Sequence, residues 1–122
     1  MRKRNLTPII FIFCLALIAC SCDKPTEPEW HTVKYRVSGT AQSVDVTYEN
    51  SDGGTSQEGP IGIQPIAWMY TFSATSGTWV YISAQNQGES GSVIVDIIKD
   101  GETFKHSRSE GAYVIATCSG TI

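Results

Sequence analysis

Few side chains in this sequence are spaced for chemistry, and the most specific pattern stands near its start. Leu17-Ile18-Ala19-Cys20 follows a basic Met1-Arg2-Lys3-Arg4 and an unbroken apolar run from Ile9 to Ala19. Small or apolar residues ahead of a cysteine look like the lipobox read by lipoprotein signal peptidase. In that chemistry the thiol receives a diacylglyceryl group and the chain is cut just before it, so the sulfur has no substitute. Cys20 is the expected lipidation site, and Cys22, with its poorer lead-in, is a second candidate. The basic start and the apolar run have the make-up of a cleavable signal peptide. The run falls short of the roughly 18–20 residues that a membrane-spanning helix needs. Two or more acyl chains, at ~0.8 kcal/mol per buried methylene, would hold the product on a membrane. Ser21, rather than an aspartate, follows the cysteine. By resemblance to enterobacterial sorting, this favours the outer membrane over the inner membrane of the cell envelope.

The remaining reactive groups are scattered. His31 and His106 lie far apart, with no cysteine or carboxylate at ligand spacing, so both read as surface histidines and no metal site is expected. Asp45, Glu49, Asp52 and Glu58 fit no calcium-loop spacing and read as solvated strand faces and turns. No serine sits in a nucleophile elbow, and the sequence places no histidine beside Cys118. Neither an enzyme nor a cofactor is expected. Trp30, Trp68, Trp79 and the five tyrosines read first as core; a sugar-stacking platform is the alternative, which burial of all three tryptophans would remove.

The elements that must carry these groups are strands. Residues 1–19 read as signal peptide and 20–29 as the lipidated cysteine and a flexible tether; residues 30–122 read as one domain. The tether, Ser21 to Glu29, is polar and proline-containing, and at ~3.3 Å per residue it reaches up to about 30 Å. Beyond it, short runs of β-branched and aromatic residues alternate with polar ones between glycine-rich turns. Strands are expected over 32–38, 43–49, 55–63, 68–72, 78–84, 92–99, 103–105 and 112–118. Asn50 to Gly54 and Asp100-Gly101 are turn signals. Pro65 argues for a bend or a strand start at its own position. The expected fold is all-β, a small Ig-like antiparallel β-sandwich of seven or eight strands. Glu110-Gly111-Ala112-Tyr113 resembles the tyrosine corner of such sandwiches, which makes Tyr113 a candidate structural residue.

Charge narrows the partners. Without residues 1–19 the chain keeps six of nine basic residues against all twelve acidic ones, a formal charge of −6. Nucleic acid is an unsuitable partner for such a surface, and no basic run suggests a polybasic membrane patch.

Taken in order, Tyr35-Arg36-Val37-Ser38-Gly39-Thr40-Ala41, Val46-Thr47-Tyr48-Glu49-Asn50, Val80-Tyr81-Ile82-Ser83-Ala84-Gln85-Asn86, Lys99-Asp100-Gly101, Gly111-Ala112-Tyr113 and Cys118-Ser119-Gly120 give a domain that resembles the MmpS family of mycobacterial transport accessory proteins. The resemblance implies a small extracytoplasmic β-sandwich that serves a resistance-nodulation-division (RND) exporter. Three features depart from the family. A lipobox stands in place of its transmembrane helix, its Leu-Pro-Trp motif survives only as Gln64-Pro65-Ile66-Ala67-Trp68, and its first cysteine is missing. By the family's pairing that cysteine would fall at Val95. Cys118 is then expected as an unpaired, inward-facing thiol near Val95, with Val93, Ile97, Val114 and Ala116 on the same buried faces; a Cys22–Cys118 bridge is the alternative. The function expected first is a non-catalytic, membrane-anchored accessory lipoprotein docking on an exporter or another envelope protein. A surface glycan- or ligand-binding module is the alternative.

Overall fold

A computed structural model describes residues 27–122. The expected signal segment, the expected lipidation site Cys20, Cys22 and the expected tether up to Thr26 lie outside the described residues. Eight strands follow in order: β1 (Trp30–Ser38), β2 (Ser43–Glu49), β3 (Thr55–Gly62), β4 (Trp68–Thr75), β5 (Trp79–Asn86), β6 (Ser92–Lys99), β7 (Glu102–Glu110) and β8 (Ile115–Thr121). They pair antiparallel in two four-stranded sheets, one ordered β4-β1-β6-β7 and the other β3-β2-β5-β8. The described chain is thus the all-β sandwich that its alternation predicts.

Period-two patterning decides which faces meet, because successive side chains of a strand point to opposite sides. Val33, Tyr35 and Val37 of β1 and Val93, Val95 and Ile97 of β6 face Val44, Val46 and Tyr48 of β2 and Val80, Ile82 and Ala84 of β5, all of them buried. Each Val or Ile so enclosed contributes roughly 1.5–3 kcal/mol of burial. At the β3/β4 side an aromatic cluster fills the gap between sheets. Tyr48 lies 5.2 Å from Trp68 and 4.7 Å from Tyr70 between ring centroids, and Tyr35 stacks 6.1 Å from Tyr70. The Tyr35 hydroxyl ties the layers together. It donates to the Glu49 carbonyl at 2.8 Å and accepts the Tyr81 N–H at 3.3 Å.

β2 and β6 keep their sequence-based bounds, and the other six strands shift at one or both ends, β7 and β8 for identifiable reasons. β7 continues to Glu110 although residues 106–110 are polar, because Ser107 and Ser109 oppose Val95 and Val93 at a sheet edge where the core thins. The last strand begins only at Ile115, since residues 111–114 form the turn that brings it across to the other sheet. The Asp100-Gly101 turn has positive φ at both residues (50° and 87°), the geometry of a two-residue hairpin turn whose twist matches its strands.

The strand directions sort the loops into two ends. One end holds the start of β1, the β2–β3, β4–β5 and β6–β7 turns and the C-terminal Ile122, joined by hydrogen bonds from Ser76 N–H to Glu29 O, Gly77 N–H to Ile122 O and Asp100 N–H to Thr32 O. The other end holds four loops, of which the β5–β6 and β7–β8 loops meet on Asn86. Its buried amide nitrogen donates to the Ser90 and Gly111 carbonyls, and its amide oxygen accepts the Gly88 N–H.

Candidate functional site

At the tether end, between the β2–β3 turn, the last residues of β4 and the start of β5, lies a cleft of about 290 Å³. That is near the lower limit of small-ligand sites, which begin at roughly 300 Å³. Trp30 and Trp79 both line it. Their positions follow from strand parity: Val33, Tyr35 and Val37 turn inward on β1, so Trp30 falls on the other face, and Val80 and Ile82 do the same for Trp79. Trp30 is 63% and Trp79 51% exposed. This corrects the expectation that the tryptophans pack mainly in the core; only Trp68 does so, with its Nε1–H donating to Glu58 at 3.3 Å. Tyr81 stacks on Trp79 at 5.6 Å and 22°, which restricts the indole's orientation.

The polar wall of the cleft is the turn Asn50 to Gly53. The Asn50 amide oxygen accepts the N–H groups of Asp52 and Gly54 (2.9 and 3.1 Å), and its nitrogen donates to Ser56 Oγ (2.7 Å), so Asn50 is consumed in shaping the turn. Ser51 Oγ accepts the Tyr70 hydroxyl at 3.3 Å and keeps its own proton to donate. The Asp52 carboxylate stands exposed on the same wall. Two exposed indoles, a hydroxyl and a carboxylate thus line one cleft, a combination of apolar and hydrogen-bonding surface that suits a ligand carrying both C–H faces and hydroxyls or amines.

Next to the cleft, His31 links three segments distant in sequence. Its Nδ1–H donates to Asp100 Oδ2 at 2.7 Å, its Nε2 meets Ser76 Oγ at 3.0 Å, and Asp100 Oδ1 accepts the Thr32 N–H at 2.9 Å. The imidazole is only 11% exposed, which corrects the reading of His31 as a surface histidine. The hydrogen bond from His31 is the main cause holding the Asp100 carboxyl below its ordinary range, followed by the Thr32 N–H. Ser76–His31–Asp100 has the connectivity of an acyl-transfer triad. Two features turn it away from that chemistry. Glu29 places one carboxylate oxygen 3.4 Å from Ser76 Oγ and the other 3.8 Å from His31 Nε2, so a second carboxylate competes with the imidazole for the hydroxyl proton. The N–H groups of Ser76, Gly77 and Thr78 are already donated to the Glu29, Ile122 and Thr75 carbonyls, so none of these three is free to stabilise an oxyanion. The arrangement is a clamp, and the turn it clamps carries Thr75 and Thr78 of the cleft wall.

The other sequence candidates lie elsewhere. Cys118 sits opposite Ile82 on the inner face of β8, half-buried, its Sγ 3.8 Å from the Val95 carbonyl oxygen. Burial, then the charge of Asp96, pushes its thiol up to about 11. Val93, Val95, Ile97 and Ala116 are buried around it, and Val114 is half-buried. Tyr113 does not form a tyrosine corner: it is 52% exposed with φ at 55°, and the hydroxyl that bridges backbone groups belongs to Tyr35. His106 lies on the outer face of the first sheet, its Nδ1 2.6 Å from the nearly buried Asp96, which Arg36 approaches to 3.9 Å from the other side. Asp45 and Glu49 flank the outer face of the second sheet, whereas Glu58 accepts the Tyr48 hydroxyl at 2.7 Å. That contact and, above all, burial push the Tyr48 phenol up to about 12.

Compared with known proteins, the chain matches no family model and no curated sequence.

Proposed function

We propose that this protein is a non-catalytic, lipid-anchored binding domain of the cell envelope whose site is the Trp30–Trp79 cleft and whose ligand is a saccharide. The observation that carries the reading is that two of the large apolar side chains left half or more exposed, Trp30 and Trp79, line one and the same cleft, whereas the others, Ile66, Met69, Tyr113 and Ile115, lie outside it. Solvent-facing aromatics cost the domain their own burial, roughly 1.5–3 kcal/mol for a large side chain, so a ligand that covers them recovers it. Sugar C–H faces stack on indole, and the Ser51 hydroxyl and Asp52 carboxylate supply directional contacts.

The test is a glycan array probed with the mature protein, followed by titration of each hit. Trp30→Ala and Trp79→Ala should each weaken binding at least about tenfold, or ~1.4 kcal/mol, with an unchanged unfolding midpoint. Because a single-ring site binds weakly, free hexoses and hexosamines are also titrated at millimolar concentrations; no binding in that titration, or binding indifferent to both substitutions, refutes the assignment.

A second reading, docking on an RND-type exporter, rests on the MmpS resemblance and on one surface feature. Of the five Lys and Arg in the described residues, Lys34, Arg36 and Arg108 share the outer face of the first sheet with His106, Asp96 and Glu110; Asp96 and Glu110 pair with Arg36, His106 and Arg108, which leaves Lys34 to meet an acidic partner surface. In-cell crosslinking from that face distinguishes it: exporter subunits captured there, and lost on Lys34→Glu with Arg108→Glu, would favour docking.

A further inference from the structure

The cleft lies at the end of the sandwich from which the tether leaves. Trp30 is the first residue of β1, and Glu29 before it is fixed to the β4–β5 turn through the Ser76 N–H to Glu29 O bond of 2.9 Å. Nine residues, Ser21 to Glu29, separate Cys20 from the cleft wall, a reach of at most about 30 Å. The opposite loops stand a further strand length away.

From this geometry, and resting on the saccharide and lipid-anchor readings above, we infer that the cleft takes the neutral or amine-bearing sugar headgroup of a lipid in the same membrane that anchors the protein. Charge selects the headgroup. Asp52 on the cleft wall and Glu29, Asp100 and Glu102 around this end stand exposed against one cation among the described residues there, Lys99, so a phosphorylated or otherwise anionic headgroup meets net repulsion, whereas hydroxyls and ammonium groups meet acceptors. The same carboxylates oppose a simpler role for Trp30 and Trp79, dipping into an anionic bilayer interface. Confinement to one surface brings site and headgroup together at high effective concentration, which suits a shallow cleft with room for a single ring.

The experiment uses the full lipidated protein in phosphatidylcholine vesicles. Synthetic dialkyl lipids carrying galactose, glucose or glucosamine are placed either in the same vesicles or in a second population. Occupancy is read from the indole emission, and vesicle bridging from turbidity. The expected result is a blue shift with a sugar lipid in the same vesicles, lost in Trp30→Ala and Trp79→Ala, without aggregation of mixed populations. Aggregation would show a cleft facing away from its own membrane and would overturn the inference while leaving the saccharide site intact. Binding of the free sugars without any shift from the lipid-borne forms would do the same. An equal shift in plain phosphatidylcholine would assign the indoles to the bilayer interface. If neither free nor lipid-borne sugar binds, the saccharide reading itself fails.

Discussion

Replacing Val95 with cysteine should create a disulfide across the sandwich. Val95 is fully buried on β6, and Cys118 on the facing β8 directs its sulfur to within 3.8 Å of the Val95 carbonyl oxygen. A bridge from 95 to 118 closes a loop of roughly 24 residues, for which the chain-entropy model gives about 3.5 kcal/mol at 25 °C. Trimming valine to cysteine in the core costs about 1 kcal/mol. The net gain is ~2–3 kcal/mol, which for a domain of this size raises Tm by roughly 10–20 °C. The assay is thermal and urea unfolding of Val95→Cys with and without reductant, with the bridge located by peptide mass mapping. Reduced, the variant should be about 1 kcal/mol less stable than the native protein. Failure of the two thiols to oxidise would show that the facing strands do not bring 95 and 118 together. A bridge that forms but leaves the oxidised variant no more stable than the native protein would refute the energetic reasoning.

Tyr35→Phe should destabilise by about 1–3 kcal/mol in urea unfolding, because the Glu49 carbonyl and Tyr81 N–H lose a shared buried partner. A Cβ on Gly91 would meet the Ala41 backbone at 2.9 Å, with φ at 109°, whereas at Gly101, with φ at 87°, it would meet nothing within 4 Å. Gly91→Ala should therefore exceed the ~1–2 kcal/mol of left-handed strain expected of Gly101→Ala, and equal losses in unfolding midpoints would contradict the close approach. Asp100 has its pKa lowered on folding, so its contribution is present above the ordinary carboxylate range and is lost as pH falls through the depressed value. Asp100→Asn should flatten the acid limb of the stability profile, and an unchanged limb would exclude the His31 clamp as its source.

What the sequence disclosed and what it concealed divide along a physical line. Alternation marked the inward faces of β1, β2, β5 and β6, because a half-buried strand imposes its period directly on residue type. Parity also held the signal for the site: Trp30 is out of phase with Val33, and Trp79 with Val80. Indole hydrophobicity points to the core and phase points away from it, and phase prevails because an exposed indole at a strand end disturbs no core. His31 shares the phase of Val33 and Tyr35, which could have marked it as turned inward. Its partners could not have been found that way. Asp100 lies 69 residues away and Ser76 45, and only the strand order brings the β4–β5 and β6–β7 turns to the same end. The Ser107 and Ser109 positions show the converse limit, where an edge strand is held by backbone pairing and its side chains carry little pattern.

The size of the cleft bears on why an anchor and a saccharide site would belong together. A hexose has ~12 non-hydrogen atoms, and at about 0.3 kcal/mol per atom the expected affinity is ~4 kcal/mol, a Kd in the millimolar range. The walls limit the usual losses on binding: the Trp30 backbone pairs with Thr75, that of Trp79 pairs with Thr121, and the His31 clamp holds the turn between those strands. Rigid walls do not enlarge the contact area, so affinity for a free sugar stays weak. A tether of about nine residues would give effective concentrations that are themselves millimolar, enough to half-fill such a site when the sugar is held on the same surface. Under the proposed function, tethering would convert a contact too weak to matter in solution into one that persists at a membrane, and the placement of the cleft beside Glu29 would make that conversion available.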